Sequence, residues 1–299
     1  MKSRILTLDL GNTTLAGGVW EEGALKDNWS YLKAGGEFRK KLAKKFKELE
    51  KAGGVDSALF ASVVPRETES VLSLCRKWLN VDCHLLSAST PTGLKIFYHP
   101  PEQMGADRIA NAVGVYRCYG APAIVVDFGT AITFDVVSKR FEYLGGVIAP
   151  GLGISTEALF RKTALLPRVK ISPPERILGR DTISAIQAGV FYGTLGLIEK
   201  IIRELKKELG WKRDVKLVAT GGQARLILSR SRLIRIIDPF LTLKGLFFIC
   251  RELNSRRDAS ISSIRPIGPI KMRKGLDHES RSRIKRGQGQ QPRRRPSSR

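Results

Sequence analysis

The chain has little of what metal centres, disulfide scaffolds and membrane spans require. Among 299 residues there are 4 cysteines, 3 histidines and 3 methionines. Cys75, Cys83, Cys118 and Cys250 stand far apart with no C-x-x-C, and His84, His99 and His278 do not cluster with them. That spacing excludes a readable zinc site or cystine framework and predicts free thiols in a reducing compartment. Long apolar runs are also missing. A bilayer span needs about 20 consecutive apolar residues, and Asp9 interrupts the one apolar stretch near the start after four residues, against a secretion leader. The expectation is a soluble, cytoplasmic protein with no membrane partner.

Acids are scarce relative to bases: 28 Asp and Glu face 52 Lys and Arg, for a net charge of +24. The excess is uneven, because residues 254–299 carry 14 Lys/Arg against 3 Asp/Glu. This segment is rich in Arg, Ser, Pro, Gly and Gln. It cannot bury enough apolar surface to offset an ordering entropy of about 1–2 kcal/mol per residue, so it is expected to be a disordered basic tail. A positive surface attracts polyanions without naming one. Nucleic acid is therefore expected, if at all, only through this tail, by salt-sensitive contacts.

What is present is a strand-and-turn signature that occurs twice. I-L-T-L-D-L-G-N-T-T surrounds Asp9, and I-V-V-D-F-G-T-A-I-T surrounds Asp127. In each, an aliphatic strand ends on a carboxylate, and Gly11 or Gly129 turns the chain toward a second strand. Two acids and two Gly/Thr turns at strand ends suit a magnesium–nucleotide polyphosphate held between two halves, and hence phosphoryl transfer. Either copy alone is equally well an ordinary hairpin; two copies favour a duplicated fold that converges on one cleft.

The remaining pattern is α/β. Strands are predicted at 4–20 (a hairpin), 58–64, 81–86, 123–127, 132–137, 143–148 and 216–220. Helices are predicted at 37–52, 67–79, 106–119, 154–164, 181–210 (broken near Gly193), 224–229 and 241–252. Alternating elements imply mixed sheets in two lobes, 1–117 and 118–253, followed by the tail 254–299. Gly221-Gly222 after a buried strand could lie against a nucleotide base or ribose. Gly105-Ala106-Asp107-Arg108 opens a helix after Pro100-Pro101, where an acid can serve as a cap or as a general base, and Arg108 can grip a carboxylate. Tyr98 lies just upstream.

Taken in order, D-L-G-N-T-T, Y-H-P-P-E-Q-M-G-A-D-R, D-F-G-T-A-I-T-F-D-V-V, G-G-V-I-A-P-G, G-R-D-T-I-S-A-I-Q-A-G, A-T-G-G and D-P-F-L-T-L-K-G-L resemble the type III pantothenate kinases. The resemblance covers about residues 4–250. It implies a duplicated ribonuclease-H-like, actin-like ATPase fold that phosphorylates pantothenate with ATP, Mg²⁺ and a monovalent cation (K⁺ or NH4⁺). It further implies that Asp107 is the proton acceptor, and that Tyr98, Gly105, Ala106, Asp107 and Arg108 bind pantothenate. Asp9, Leu10, Gly11, Asn12, Thr13, Thr14, Leu15 and Ala16 would form the phosphate loop, Thr130 would touch ATP and Asp127 would hold the monovalent cation. Thr182 would reach the substrate on a partner subunit, which implies a homodimer. His99-Pro100-Pro101 departs from the family's commoner Asp-Asn-Pro, and the basic tail has no counterpart in a typical member. Two other readings stay open: a catalytically silent relative that regulates through nucleic acid, and a kinase for another small hydroxylated acid.

Overall fold

The computed structural model describes residues 3–212 and 214–258. The first sheet is built from β1 (Arg4–Leu10), β2 (Thr14–Glu21), β3 (Ala24–Leu32), β4 (Ser57–Ser62) and β5 (Cys83–Leu85), in the spatial order β3-β2-β1-β4-β5. β1, β2 and β3 form an antiparallel meander, while β4 and β5 run parallel to β1. The second sheet repeats this plan. It contains β6 (Lys95–Ile96), β7 (Ala123–Phe128), β8 (Ala131–Val137), β9 (Glu142–Pro150), β10 (Lys216–Thr220) and β11 (Ile236–Ile237), in the order β11-β10-β7-β8-β9-β6. β7, β8, β9, β10 and β11 take the places of β1 to β5, and β6 is an extra edge strand. The duplication expected from the two signatures is a duplication of the whole sheet.

Among the described residues seven α-helices complete the layers: α1 (Phe38–Lys51), α2 (Pro65–Leu79), α3 (Ala106–Tyr119), α4 (Leu152–Lys162), α5 (Thr182–Glu208), α6 (Ala224–Leu228) and α7 (Leu241–Asp258). Three apolar cores result. Leu6, Leu8 and Leu10 of β1 pack with Leu42 and Phe46 of α1 and Val71 and Cys75 of α2. Ile124, Val126 and Phe128 of β7 pack with Phe191 and Ile198 of α5 and Ile227 of α6. Between the sheets lies a third core, where α3 and α7 meet Ile5 of β1, Leu59 of β4, and Ala123 and Val125 of β7. Trp20 of β2 stacks on Phe247 of α7 with ring centroids 4.7 Å apart.

Strand parity follows from these cores. Successive side chains of a strand face opposite ways. Leu6, Leu8 and Leu10 face outward, so Thr7 and Asp9 point with Ile5 into the central layer. By the same parity, Asp127 follows Ala123 and Val125, and Asp135 precedes Val137, into that layer.

Several expectations need amending. β3, β6 and β11 are strands that the sequence pattern did not bring forward. Helix α5 runs unbroken through Gly193. It is also the one described helix with the length and apolar content of a membrane span, yet Phe191, Ile198 and Ile202 place that surface in the second core. Helix α7 continues to Asp258, so residues 254–258 are helical rather than part of a disordered tail. The remainder of the tail, and any nucleic-acid contact through it, lies outside the described residues. β6 belongs by number to 1–117 but joins the second sheet, and α7 begins in 118–253 but packs on β1 and β4.

Candidate active site

The two signature turns meet at the mouth of the central layer. Gly11 N–H donates to the Thr14 carbonyl (2.9 Å) and Gly129 N–H to the Ala131 carbonyl (3.1 Å), closing each turn. The first turn is one residue longer: Leu10 pairs with Leu15, whereas Phe128 pairs with Ile132. The extra residue lets Thr13 reach across, and its Oγ1 lies 2.9 Å from Oγ1 of Thr130. Asn12 and Thr13 are exposed there, with Thr14 partly so; Leu15 is wholly buried in the first core, and Ala16 is opposite Asp9 in the β1–β2 register.

Lys33, just past β3, clamps this loop. Its backbone N–H donates to the Thr13 carbonyl (2.9 Å), and its ammonium donates to the Gly11 carbonyl (3.1 Å) while pairing with Glu67 (2.8 Å). Sequence reasoning missed Lys33 because it missed β3. The period-2 alternation of Ala24–Leu32, half-buried and exposed by turns, was the available signal.

Asp107 arrives from the first turn of α3, whose N-cap Gly105 offers no side chain. The Asp107 carboxylate accepts from the Arg108 backbone N–H at 2.8 Å. The three acids share one field. Burial pushes the Asp9 carboxyl well above the usual carboxylate range, and the charges of Asp107 and Asp127 push it further. Burial also raises Asp107, against the pull of Arg108. Asp127 is pushed up to about 7 by burial, helped by Asp107 and Asp135 and opposed by a hydrogen bond from Asn111. Among the described residues none of these three acids makes an ion pair. Unpaired buried charge is costly, and the upward shifts are the response: each acid is pushed toward its neutral form.

Arg108 is sited differently from a free carboxylate grip. Its Nε donates to Asp135 at 2.7 Å, and the guanidinium lies against both the Tyr98 ring (5.5 Å) and the Tyr143 ring (5.6 Å). Tyr143 Oη donates to the same Asp135 oxygen at 2.8 Å. Nη2 of Arg108 is buried against Gly146 without a hydrogen-bond partner. Burial raises Asp135 to about 6, with Arg108 and Tyr143 working against the rise. Tyr98 also packs edge-on to Tyr143, with centroids 6.2 Å apart. Asp135, which sequence reasoning did not single out, could have been found from its parity with Thr133 and Val137.

Asn111, one turn beyond Asp107 on α3, is wholly buried and donates from Nδ2 to Asp127 Oδ2 at 3.0 Å. Gly221, at φ +87, has no room for a side chain because a Cβ would run into Asp127 Oδ1 and the Phe128 backbone. Gly222 is open. Thr182 sits exposed at the start of α5, where Asp181 and Ser184 form a reciprocal capping box. It makes no described hydrogen bond to the cleft.

A family model described as type III pantothenate kinase matches residues 5–204. The chain belongs to the type III pantothenate kinase family. The matched stretch holds β1 through most of α5, and with them Asp9, Asp107, Asp127 and Thr130. Pantothenate kinases of this type are enzymes of coenzyme A biosynthesis, and the two-lobed architecture agrees with that of solved relatives. A conserved putative Baf family transcriptional activator from Campylobacter jejuni superposes with a TM-score of 0.54 at 22% identity, covering 84% of this chain and 99% of that one. Component A of the (R)-2-hydroxyglutaryl-CoA dehydratase from Acidaminococcus fermentans gives 0.50 at 14% identity, over 86% and 100%. Those likenesses are of fold: the chain has the actin-like ATPase fold, two α/β lobes with mixed sheets.

Proposed function

We propose that the protein transfers the γ-phosphoryl group of ATP to the primary hydroxyl of pantothenate, giving 4′-phosphopantothenate, the first step of coenzyme A biosynthesis. The observation that carries this reading is that Asp9, Asp107 and Asp127, from β1, α3 and β7, are buried and electrostatically coupled, while the two signature turns meet through Thr13 and Thr130.

In this reading Asp107 accepts the hydroxyl proton as the alcohol oxygen bonds to the γ-phosphorus and the bond to the ADP oxygen breaks. Its raised affinity for a proton suits a base working near neutral pH. The turn from Asp9 through Leu10, Gly11, Asn12, Thr13, Thr14, Leu15 and Ala16 faces the polyphosphate, with Thr130 donating from the opposite lobe. Gly105, Ala106, Arg108 and Tyr98 hold pantothenate, Arg108 through its guanidinium.

Among the described residues no group of three or more acid, His or Cys side chains is spaced to hold a metal ion, so in this reading each cation is held by a single carboxylate together with phosphate and water. Asp107 and Asp127 push Asp9 toward its neutral form and Asp107 pushes Asp127 the same way, while Arg108 pulls on Asp107 without making an ion pair to it. Asp9 would hold Mg²⁺ through water and Asp127 a monovalent cation, K⁺ or NH4⁺. When bound, these ions neutralise developing charge on the transferring group.

A homodimer completes the site in this reading, Thr182 reaching the partner's substrate. The exposed face of α5 supports it: Ala185, Gly189, Gly193 and Gly196 leave a shallow surface, with Ile183 (52% exposed) beside it and Ile177 and Leu178 just upstream. A cytoplasmic location accords with free thiols and a soluble substrate.

The test is turnover of purified protein with ATP and Mg²⁺ across pantothenate and similar hydroxylated acids, with and without K⁺. Pantothenate should be preferred and K⁺ should be required. Preference for another acid would keep the reaction class and replace the substrate.

A further inference from the structure

D-P-F-L-T-L-K-G-L begins with a strand end and opens α7, and it lies beyond the stretch that the family model matches. It nevertheless sends a side chain toward the site. Thr242 Oγ1 donates to Asn111 Oδ1 at 2.8 Å, and Asn111 Nδ2 donates to Asp127 Oδ2 at 3.0 Å. We propose that Thr242 and Asn111 are positioning residues that fix the Asp127 carboxylate for its monovalent cation. This rests on the cation role given to Asp127 above.

The chemistry of the amide decides the arrangement. An ionised carboxylate only accepts hydrogen bonds, so Asn111 must present its NH2 end to Asp127. A primary amide can turn over and present its carbonyl instead, which would repel the carboxylate. The carboxylate disfavours that turned amide, and the Thr242 hydroxyl, donating to the carbonyl end, holds the amide in place. With Oδ2 committed to Asn111 and Oδ1 set against the Gly221 backbone, the carboxylate has one orientation. Partners of this kind behind a ligand commonly change cation affinity by 10- to 100-fold when removed.

Placement comes from helix packing. α3 and α7 cross at backbone contact: a methyl on Gly245 would overlap the Ala110 carbonyl, and one on Gly114 would press on the Leu241 carbonyl. That close approach puts Thr242, one turn before Gly245, beside Asn111, one residue after Ala110. Because α7 also packs on β1 and β4 of the first sheet, the seating of α7 on the first lobe sets the orientation of an acid in the second.

The experiment compares wild type, Thr242→Val, which keeps the shape and loses the hydroxyl, and Thr242→Ser, which keeps the hydroxyl. Two readouts are needed: the K⁺ concentration giving half-maximal turnover, and the K⁺-dependent rise in Tm without substrates, at ionic strength held constant with choline chloride. The expected result is a half-activating K⁺ concentration about tenfold higher in Thr242→Val, a correspondingly weakened thermal response, and near-wild-type behaviour in Thr242→Ser. A purely structural staple would lower the Tm of Thr242→Val and leave both K⁺ midpoints unchanged, which would overturn the inference. Wild-type protein that ignores K⁺ in both assays would instead remove the role of Asp127, and this inference with it.

Discussion

The hydroxyls of Thr13 and Thr130 meet at 2.9 Å although 117 residues separate them. Each sits on one of the two signature turns, so their contact joins the two lobes' turns into one rim. Hydrogen bonds to charged groups contribute about 1.5–3 kcal/mol. Thr130→Val should therefore lower kcat/KM for ATP by about 10- to 100-fold, with Thr130→Ser close to wild type. Equal activity in both variants would show that the hydroxyl does not face the nucleotide.

Asp107→Asn should lower kcat by about 100- to 10,000-fold, the usual contribution of a general base. The fold should not suffer. Asp107 raises the proton affinity of both Asp9 and Asp127 through like-charge repulsion, so its neutral replacement relieves that repulsion and Tm should hold or rise. Turnover near wild type would exclude Asp107 as the base.

The ligand-free protein should lose stability as pH rises from about 4 to about 7. In that window the unfolded chain has already released the proton of Asp127, whose ordinary pKa is 3.8, while the folded chain holds it up to about 7. Folding is thus favoured at low pH, and the advantage is gone above about 7. Asp127→Asn should flatten this slope in thermal melts. Cations compete with the same proton, so the thermal shift on adding K⁺ and Mg²⁺–ADP should be larger at pH 8 than at pH 6.

Gly245→Ala should be costly for a glycine substitution on a helix that otherwise prefers alanine. The added methyl meets the Ala110 carbonyl on α3, and overpacking of this kind costs about 1–3 kcal/mol. Calorimetry should show Tm lowered by several degrees. An unchanged or raised Tm would mean that the two helices can part without penalty.

The parts of this fold legible in the sequence are those where local chemistry and tertiary role coincide. Asp9 and Asp127 announce themselves because strand, acid and glycine turn are contiguous, and Asp107 because it opens a helix after prolines. Alternation also carries more than it was asked for: the outward set Leu6, Leu8, Leu10 already implies that Asp9 points the other way. What resisted reading depends on partners distant in the chain. Arg108 looks like a free grip until Asp135 is placed beside it, 27 positions on. Thr242 looks like an ordinary helix-start threonine until α7 crosses α3 and sets it against Asn111, 131 positions back. Lys33 follows a strand whose period-2 pattern is written in polar as well as apolar residues, so its approach to the Gly11 carbonyl had no local marker.

The central claim, phosphoryl transfer to pantothenate in a recess of three carboxylates, is met most directly by phosphorus NMR of the protein with ATP, Mg²⁺, K⁺ and pantothenate. The account predicts a phosphomonoester signal that grows as the γ-phosphate signal of ATP declines, only when pantothenate is present and not in Asp107→Asn. Release of inorganic phosphate irrespective of pantothenate, or an unchanged ATP spectrum, would contradict it.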